Sequence, residues 1–314
     1  MATIIVPKRI SIRDDAEALR KACKGLGTDE KAIIEVLGHR NAIQRRQIRQ
    51  AYEQIYEEDL IKRLEKRLSG DFERAVCRWI LDPADRDGLL ANSELRESSD
   101  EHSVLVEISC TRSSEELMGI RRAYHARFKR SLEEEVADHT KGDTQKLLVA
   151  LVSAFRYDGE EVNAKLAKSE AKDLHEAIKD KKLNTDDVIR ILTTRSKLQL
   201  RATFNFYREE QDASINKNLP NKSKNEFLET LCITVRCLQD PKKYFEKVLR
   251  DSIKRFGTDD DALTRVIVTR AEKDLKEIKD LYYKRNNVRL EEAVDKHTRG
   301  DYEDMLLTLL GSEV

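Results

Sequence analysis

The sequence predicts an all-α chain of four homologous units, each of about five helices, packed as a compact curved disc. Three observations carry that prediction: a residue pattern that returns four times, apolar positions spaced by three and four, and helix-start signatures at one place in three of the four units. The pattern centres on an arginine, in Gly38-His39-Arg40-Asn41, Cys110-Thr111-Arg112-Ser113, Thr193-Thr194-Arg195-Ser196 and Val268-Thr269-Arg270-Ala271. Twelve residues on stands Tyr52, Tyr124, Tyr207 or Tyr282; twenty on, Leu60, Leu132, Ile215 or Leu290; thirty-one on, Asp71, Asp143, Glu226 or Asp301. A register kept across intervals of 72, 83 and 75 residues marks internal duplication.

Taken in order, residues 1–13 form a short tail, followed by units at 14–83, 84–156, 157–240 (with its preceding linker) and 241–314. In the first unit Ile33, Ile34 and Leu37, then Ile48, Tyr52 and Ile55, recur at helical spacing, and no sustained period-two alternation competes with them. After the arginine, Asn41 with Gln44, Ser113 with Glu116 and Ser196 with Gln199 form capping boxes, in which each partner satisfies an amide the helix start leaves open. The fourth unit has Ala271 there and lacks the box. Of four prolines, two stand in Asp82-Pro83 and Asp240-Pro241, after the first and third units, which predicts that units pair as one with two and three with four. The longer stretch from Phe155 to about Glu170 would join the pairs.

Composition narrows the function. Charged residues make up 38% of 314, with 59 basic and 59 acidic, so the net charge is zero and the mixture suits long solvated helices. A nucleic-acid binder normally carries a basic excess, so nucleic acid is not an expected partner. The opening Ile4-Ile5-Val6 is too short for a secretion signal, and Leu147 to Val152 falls far below the ~18 apolar residues of a spanning helix. The expected location is therefore cytoplasmic and peripheral on membranes. Five cysteines, with no CxxC spacing, indicate buried thiols rather than a disulfide framework or zinc site.

The loop Cys23-Lys24-Gly25-Leu26-Gly27-Thr28-Asp29 makes the reading specific. It resembles the K-G-x-G-T-D calcium loop of annexins, and the resemblance extends from about Asp14 to Leu310. A worn copy, Ile253-Lys254-Arg255-Phe256-Gly257-Thr258-Asp259, stands in the fourth unit, while Ser98-Ser99-Asp100 and Lys182-Leu183-Asn184 replace it in the second and third, a distribution similar to that of plant annexins. Glycines let such a loop aim carbonyls at one point, and a hard calcium ion takes six to eight oxygens.

The resemblance implies a calcium-dependent phospholipid-binding protein, not an enzyme, with metal contacts at Cys23, Gly25, Gly27, Thr28 and Glu30 in the first copy and Ile253, Arg255 and Gly257 in the fourth. In the family a carboxylate 39 positions beyond the threonine closes the site. The equivalent positions here are Arg67, His139, Lys222 and His297, cationic or able to become so, hence degenerate sites and weak calcium binding through backbone carbonyls are expected. A lesser family site is implied at Leu68 with Glu73 and at Thr298 with Glu303, acids that equally suit an ordinary helix start. With Lys24 and Lys254, the four substituted positions are candidate contacts to anionic phospholipid. A histidine of reference pKa about 6.5 gains charge on acidification, so lipid binding would strengthen at low pH.

Weaker features are set aside. His39, where a haem ligand has been proposed in plant annexins, has no evident second ligand or apolar pocket, and no haem is expected. Cys110 and Cys237 match a redox pair suggested for similar proteins, but inert thiols fit better. No GxxxxGK[ST] occurs, and no nucleotide is expected. Ile189-Arg190-Ile191 resembles a proposed actin-binding tripeptide, so actin, or self-association on membranes, is a further candidate partner. Glu107, Arg112 and Arg270 fall on helices like those lining the annexin channel, with buried ion pairs the first expectation. The alternatives to membrane binding are a helical-repeat interaction scaffold, or a redox or stress-response annexin with peroxidase-like or channel activity.

Overall fold

The computed structural model describes residues 1–25, 27–97, 102–220, 223–253 and 257–312. Among them the regular elements are all helices, five to each repeat. The first repeat holds α1 (Ile12–Ala22), α2 (Glu30–Leu37), α3 (Ala42–Tyr56), α4 (Leu60–Glu65) and α5 (Gly70–Ile80). The second holds α6 (Pro83–Arg96), α7 (Ser103–Thr111), α8 (Ser114–Phe128), α9 (Leu132–His139) and α10 (Gly142–Val152). The third holds α11 (Ala164–Lys179), α12 (Asp186–Thr194), α13 (Lys197–Gln211), α14 (Ile215–Asn218) and α15 (Glu226–Gln239). The fourth holds α16 (Pro241–Ser252), α17 (Asp260–Arg270), α18 (Leu275–Asn286), α19 (Leu290–His297) and α20 (Gly300–Leu309).

Local chemistry fixes the helix starts. Asn41 and Ser113 complete their capping boxes at α3 and α8. At α13 only half the box forms: Ser196 accepts the Gln199 amide at 3.0 Å. The Gln199 side chain turns instead to Asn163, accepting its N–H at 2.8 Å and donating to its carbonyl at 3.0 Å, and so ties the start of α11 to α13. In the fourth repeat Ala271 ends α17, and the next helix starts only at Leu275.

The repeated tyrosines and the Leu60, Leu132, Ile215 and Leu290 series are all buried. Ile55 departs from the expected pattern: at 42% exposed it lies off the buried face of α3, which is made by Arg45, Ile48 and Tyr52. The arginine at the centre of the pattern is an ion-pair partner, buried at Arg40, Arg112 and Arg270 and half-buried at Arg195. Arg40 grips Asp15 through two bonds of 2.7 Å, Arg112 binds Asp87 at 2.6 Å, and Arg195 binds Glu170 at 2.7 Å, each acid 25 residues upstream. The fourth copy has Phe245 at that distance; the Arg270 guanidinium lies over its ring at 4.5 Å and pairs with Asp274 instead.

The helices gather into two compact units, Met1–Arg86 with Lys242–Val314, and Asp87–Pro241. The first repeat is thus grouped with the fourth and the second with the third, which corrects the pairing expected from the Asp-Pro corners. In the first unit α5 packs on α17 and α20; in the second α7 and α10 pack on α15. Pro83 and Pro241 open α6 and α16 close to where the chain passes from one unit to the other, so the corners mark a change of unit. Among the described residues no helix is long and apolar enough to cross a membrane.

Candidate functional site

The loop between α1 and α2 is shaped by its own sequence. Gly25 has φ of +108°, a conformation a side chain would strain, and Gly257 repeats it at +120° in the fourth repeat. Asp29 caps α2 by accepting the Ala32 amide at 3.0 Å, while its own N–H reaches back to Ala22 O at 3.0 Å. Asp259 makes the same two bonds, to Ala262 at 3.0 Å and Ser252 at 2.8 Å. Thr28 Oγ1 donates to the Arg67 carbonyl and Thr258 Oγ1 to that of His297, both at 3.3 Å. The threonine therefore clips each loop to the turn 39 residues later, where the family's carboxylate stands.

In the first repeat that turn brings cations. Arg63 and Arg67 lie four residues apart, on one side of α4 and its continuation. Arg63 Nη2 donates to the Cys23 carbonyl at 2.5 Å, and Arg67 Nη2 donates to the carbonyls of Gly25, at 2.9 Å, and of Gly27. The three carbonyls expected to face calcium all accept from guanidinium groups. Lys24 is exposed beside them, and Glu30 opens α2.

The other positions are less convergent. His297 Nδ1 engages the Ala293 carbonyl at 2.8 Å and His139 Nδ1 that of Glu135 at 2.9 Å, so each ring is tied to its own helix. Ile253 is buried. Lys222, Lys254 and Arg255, with the second-repeat stretch Ser98-Ser99-Asp100, lie outside the described residues. Gly70 and Gly300 take φ of +66° and +63° at the starts of α5 and α20, next to Leu68 and Thr298. Glu73 and Glu303 stand in the first turns that follow. Partial burial, then a hydrogen bond and the charge of Asp295, push the Glu303 carboxyl above its ordinary range. Among the described residues, no group of three or more His, Cys, Asp and Glu side chains is arranged to hold a metal.

Sequence reasoning missed Arg63 and Asp295. Arg63 had a signal in its spacing of four from Arg67; Asp295 had one in its place eight residues before Glu303.

The remaining candidates lie elsewhere in the fold. Ile189 and Ile191 are buried in α12, leaving Arg190 exposed and paired with Asp187, so the tripeptide does not form one continuous surface. His39 Nδ1 engages the Glu35 carbonyl at 3.1 Å. All five cysteines are free. Burial pushes the Cys110 thiol up to about 11, the Cys232 thiol to about 11 and the Cys77 thiol to about 12, so all three stay protonated at neutral pH.

Four five-helix repeats, the first and fourth with an interhelical loop clipped to a turn 39 residues on, define a family, and the chain belongs to it: the Annexin family model matches residues 14–79, 90–151, 169–233 and 244–309. Annexins in general bind membrane phospholipids in a calcium-dependent way. The chain is 63% identical over 313 residues to annexin-like protein RJ4 of Fragaria ananassa, covering 100% of both chains. It is 54% identical over 314 residues to annexin D7 of Arabidopsis thaliana, covering 100% of this chain and 99% of that one. Among solved structures, annexin III superposes with a TM-score of 0.92 at 31% identity, covering 100% of this chain and 98% of the other. Calcium-bound annexin (Sm)1 superposes at 0.85 with 29% identity, covering 99% and 93%.

Proposed function

We propose that the chain is a peripheral membrane protein that binds anionic phospholipid, with calcium acting through weak sites at the Gly70 and Gly300 turns. The observation that carries this reading is the first-repeat loop, whose Gly25 and Gly27 carbonyls converge on one guanidinium and which Thr28 clips to the Arg67 turn. In the fourth repeat the donor set suits a hard cation: partial burial, then a hydrogen bond with Asp295, raise the Glu303 carboxyl above its ordinary range, and Glu303 follows the turn that carries the Thr298 carbonyl. A calcium ion bound there would supply positive charge toward a lipid phosphate. Leu68 and Glu73 hold the corresponding places in the first repeat. One such carboxylate pair is a modest ligand set, so calcium should act only at high concentration.

Co-sedimentation tests this. The chain should pellet with phosphatidylserine-containing vesicles and stay in solution with phosphatidylcholine alone. Millimolar calcium should increase the pelleted fraction, and Glu303→Gln should blunt that increase. Equal pelleting on both vesicle types, or none on either, contradicts the reading.

A further inference from the structure

The first-repeat loop does not fit calcium as the family's loop does, because its cradle already holds a cation. Arg67 Nη2 donates to the carbonyls of Gly25 and Gly27, and Arg63 Nη2 to that of Cys23. A carbonyl that accepts a charge-assisted hydrogen bond is a poor metal ligand until that bond breaks. The charge count is informative: a calcium ion with one closing carboxylate leaves a net charge of +1 in the cradle, and Arg67 leaves the same, the charge of Arg63 being opposed by Glu58. Arg67 thus carries at this turn the charge that an acid and its metal would leave together.

We propose that Arg67 is a built-in cation that holds the first-repeat loop in its lipid-binding shape without calcium and contacts the phosphate of an anionic phospholipid directly. The guanidinium has donors for both tasks. Nη2 spends its two N–H bonds on the loop carbonyls. Nη1 makes no hydrogen bond among the described residues and Nε is buried without a partner, so the half-buried guanidinium keeps donors that the loop does not use. Arg63, also paired with Glu58 at 3.6 Å, braces the Cys23 end of the cradle. Exposed Lys24 adds a second cation on the loop. The fourth repeat has no such device at the equivalent position, where His297 is tied to Ala293 of its own helix.

This inference rests on the peripheral-membrane reading but fails separately from it. Two measurements compare the unmodified chain with Arg67→Ala and Arg67→Glu, whose folding is checked by thermal melting. In calcium titration calorimetry without lipid, Arg67→Glu should bind at least about tenfold more tightly than the unmodified chain, because it vacates the carbonyls and restores an acid. In chelator, Arg67→Ala should weaken binding to phosphatidylserine vesicles about fivefold, the contribution of one surface cation, and Arg67→Glu should weaken it further. Inorganic phosphate should not displace the unmodified chain from vesicles. An absent calorimetric gain, or Arg67→Ala binding vesicles like the unmodified chain, overturns the inference even where vesicle binding itself stands. Displacement by inorganic phosphate overturns the lipid assignment. Failure of the unmodified chain to bind anionic vesicles with or without calcium sinks the peripheral reading and the lipid contact with it, while the calorimetry still decides whether Arg67 excludes calcium.

Discussion

Replacing Arg112 by alanine is expected to destabilise the Asp87–Pro241 unit by about 3–5 kcal/mol, the cost of stranding one member of a buried ion pair. Both side chains of the Arg112–Asp87 pair are 2% exposed, and the guanidinium also donates to Thr111 Oγ1 at 2.9 Å. Burial opposes the arginine's charge, but Asp87 overcomes that cost and holds its pKa above the ordinary value. The loss should follow burial across the repeats: largest for Arg112, smaller for Arg40 with side chains 10% and 9% exposed, and smallest for Arg195, itself 28% exposed. Arg190→Ala, which removes an exposed pairing with Asp187, should cost no more than about 0.5 kcal/mol. Urea denaturation followed by far-ultraviolet dichroism measures all four. A loss for Arg112→Ala no larger than that for Arg190→Ala would show that the recurrent arginine is not a structural pin.

Trp79→Ala is expected to cost the other unit about 3–5 kcal/mol. Trp79, the chain's single tryptophan, is fully buried on α5 and donates from Nε1 to the Leu37 carbonyl at 2.7 Å, joining α5 to the end of α2. The Arg45 guanidinium lies over its ring at 3.6 Å. Burial pulls the pKa of that guanidinium down to about 10 with Glu272 opposing, so it is charged at neutral pH, and removal of the indole takes away its cation–π partner. Trp79→Phe keeps a ring for Arg45 and loses the hydrogen bond, so a smaller loss of about 1–3 kcal/mol should result. Denaturation followed by dichroism reads both variants, and a loss below about 1 kcal/mol for Trp79→Ala would contradict the packing described.

The features legible in the sequence were those written in local spacing. The arginine, tyrosine and leucine series located each repeat, and Asn41 and Ser113 announced the starts of α3 and α8 because a capping box involves residues three apart. What stayed hidden depends on contacts between distant parts of the chain. The acid 25 residues before the arginine in the first three repeats was not seen, partly because the fourth copy has Phe245 in its place. Gln199 matched the capping-box pattern, yet its amide found both backbone groups of Asn163, 36 residues away. Grouping of the first repeat with the fourth arises from apolar faces such as that of α5 against α17, which have no signature in neighbouring residues. At the site, the spacing of 39 located Arg67 as a lost acid, while its reach back to Gly25 and Gly27 is a property of the folded turn.

The central claim is that a guanidinium stands in the first-repeat cradle where the family places calcium. The most direct measurement is a crystal structure of the unmodified chain grown in millimolar calcium, with anomalous scattering used to locate the metal. Arg67 should remain hydrogen-bonded to the Gly25 and Gly27 carbonyls with no calcium between them, and any bound ion should lie at the Glu303 or Glu73 turn. A calcium ion coordinated by the carbonyls of Cys23, Gly25 and Gly27, with Arg67 swung into solvent, would contradict the account.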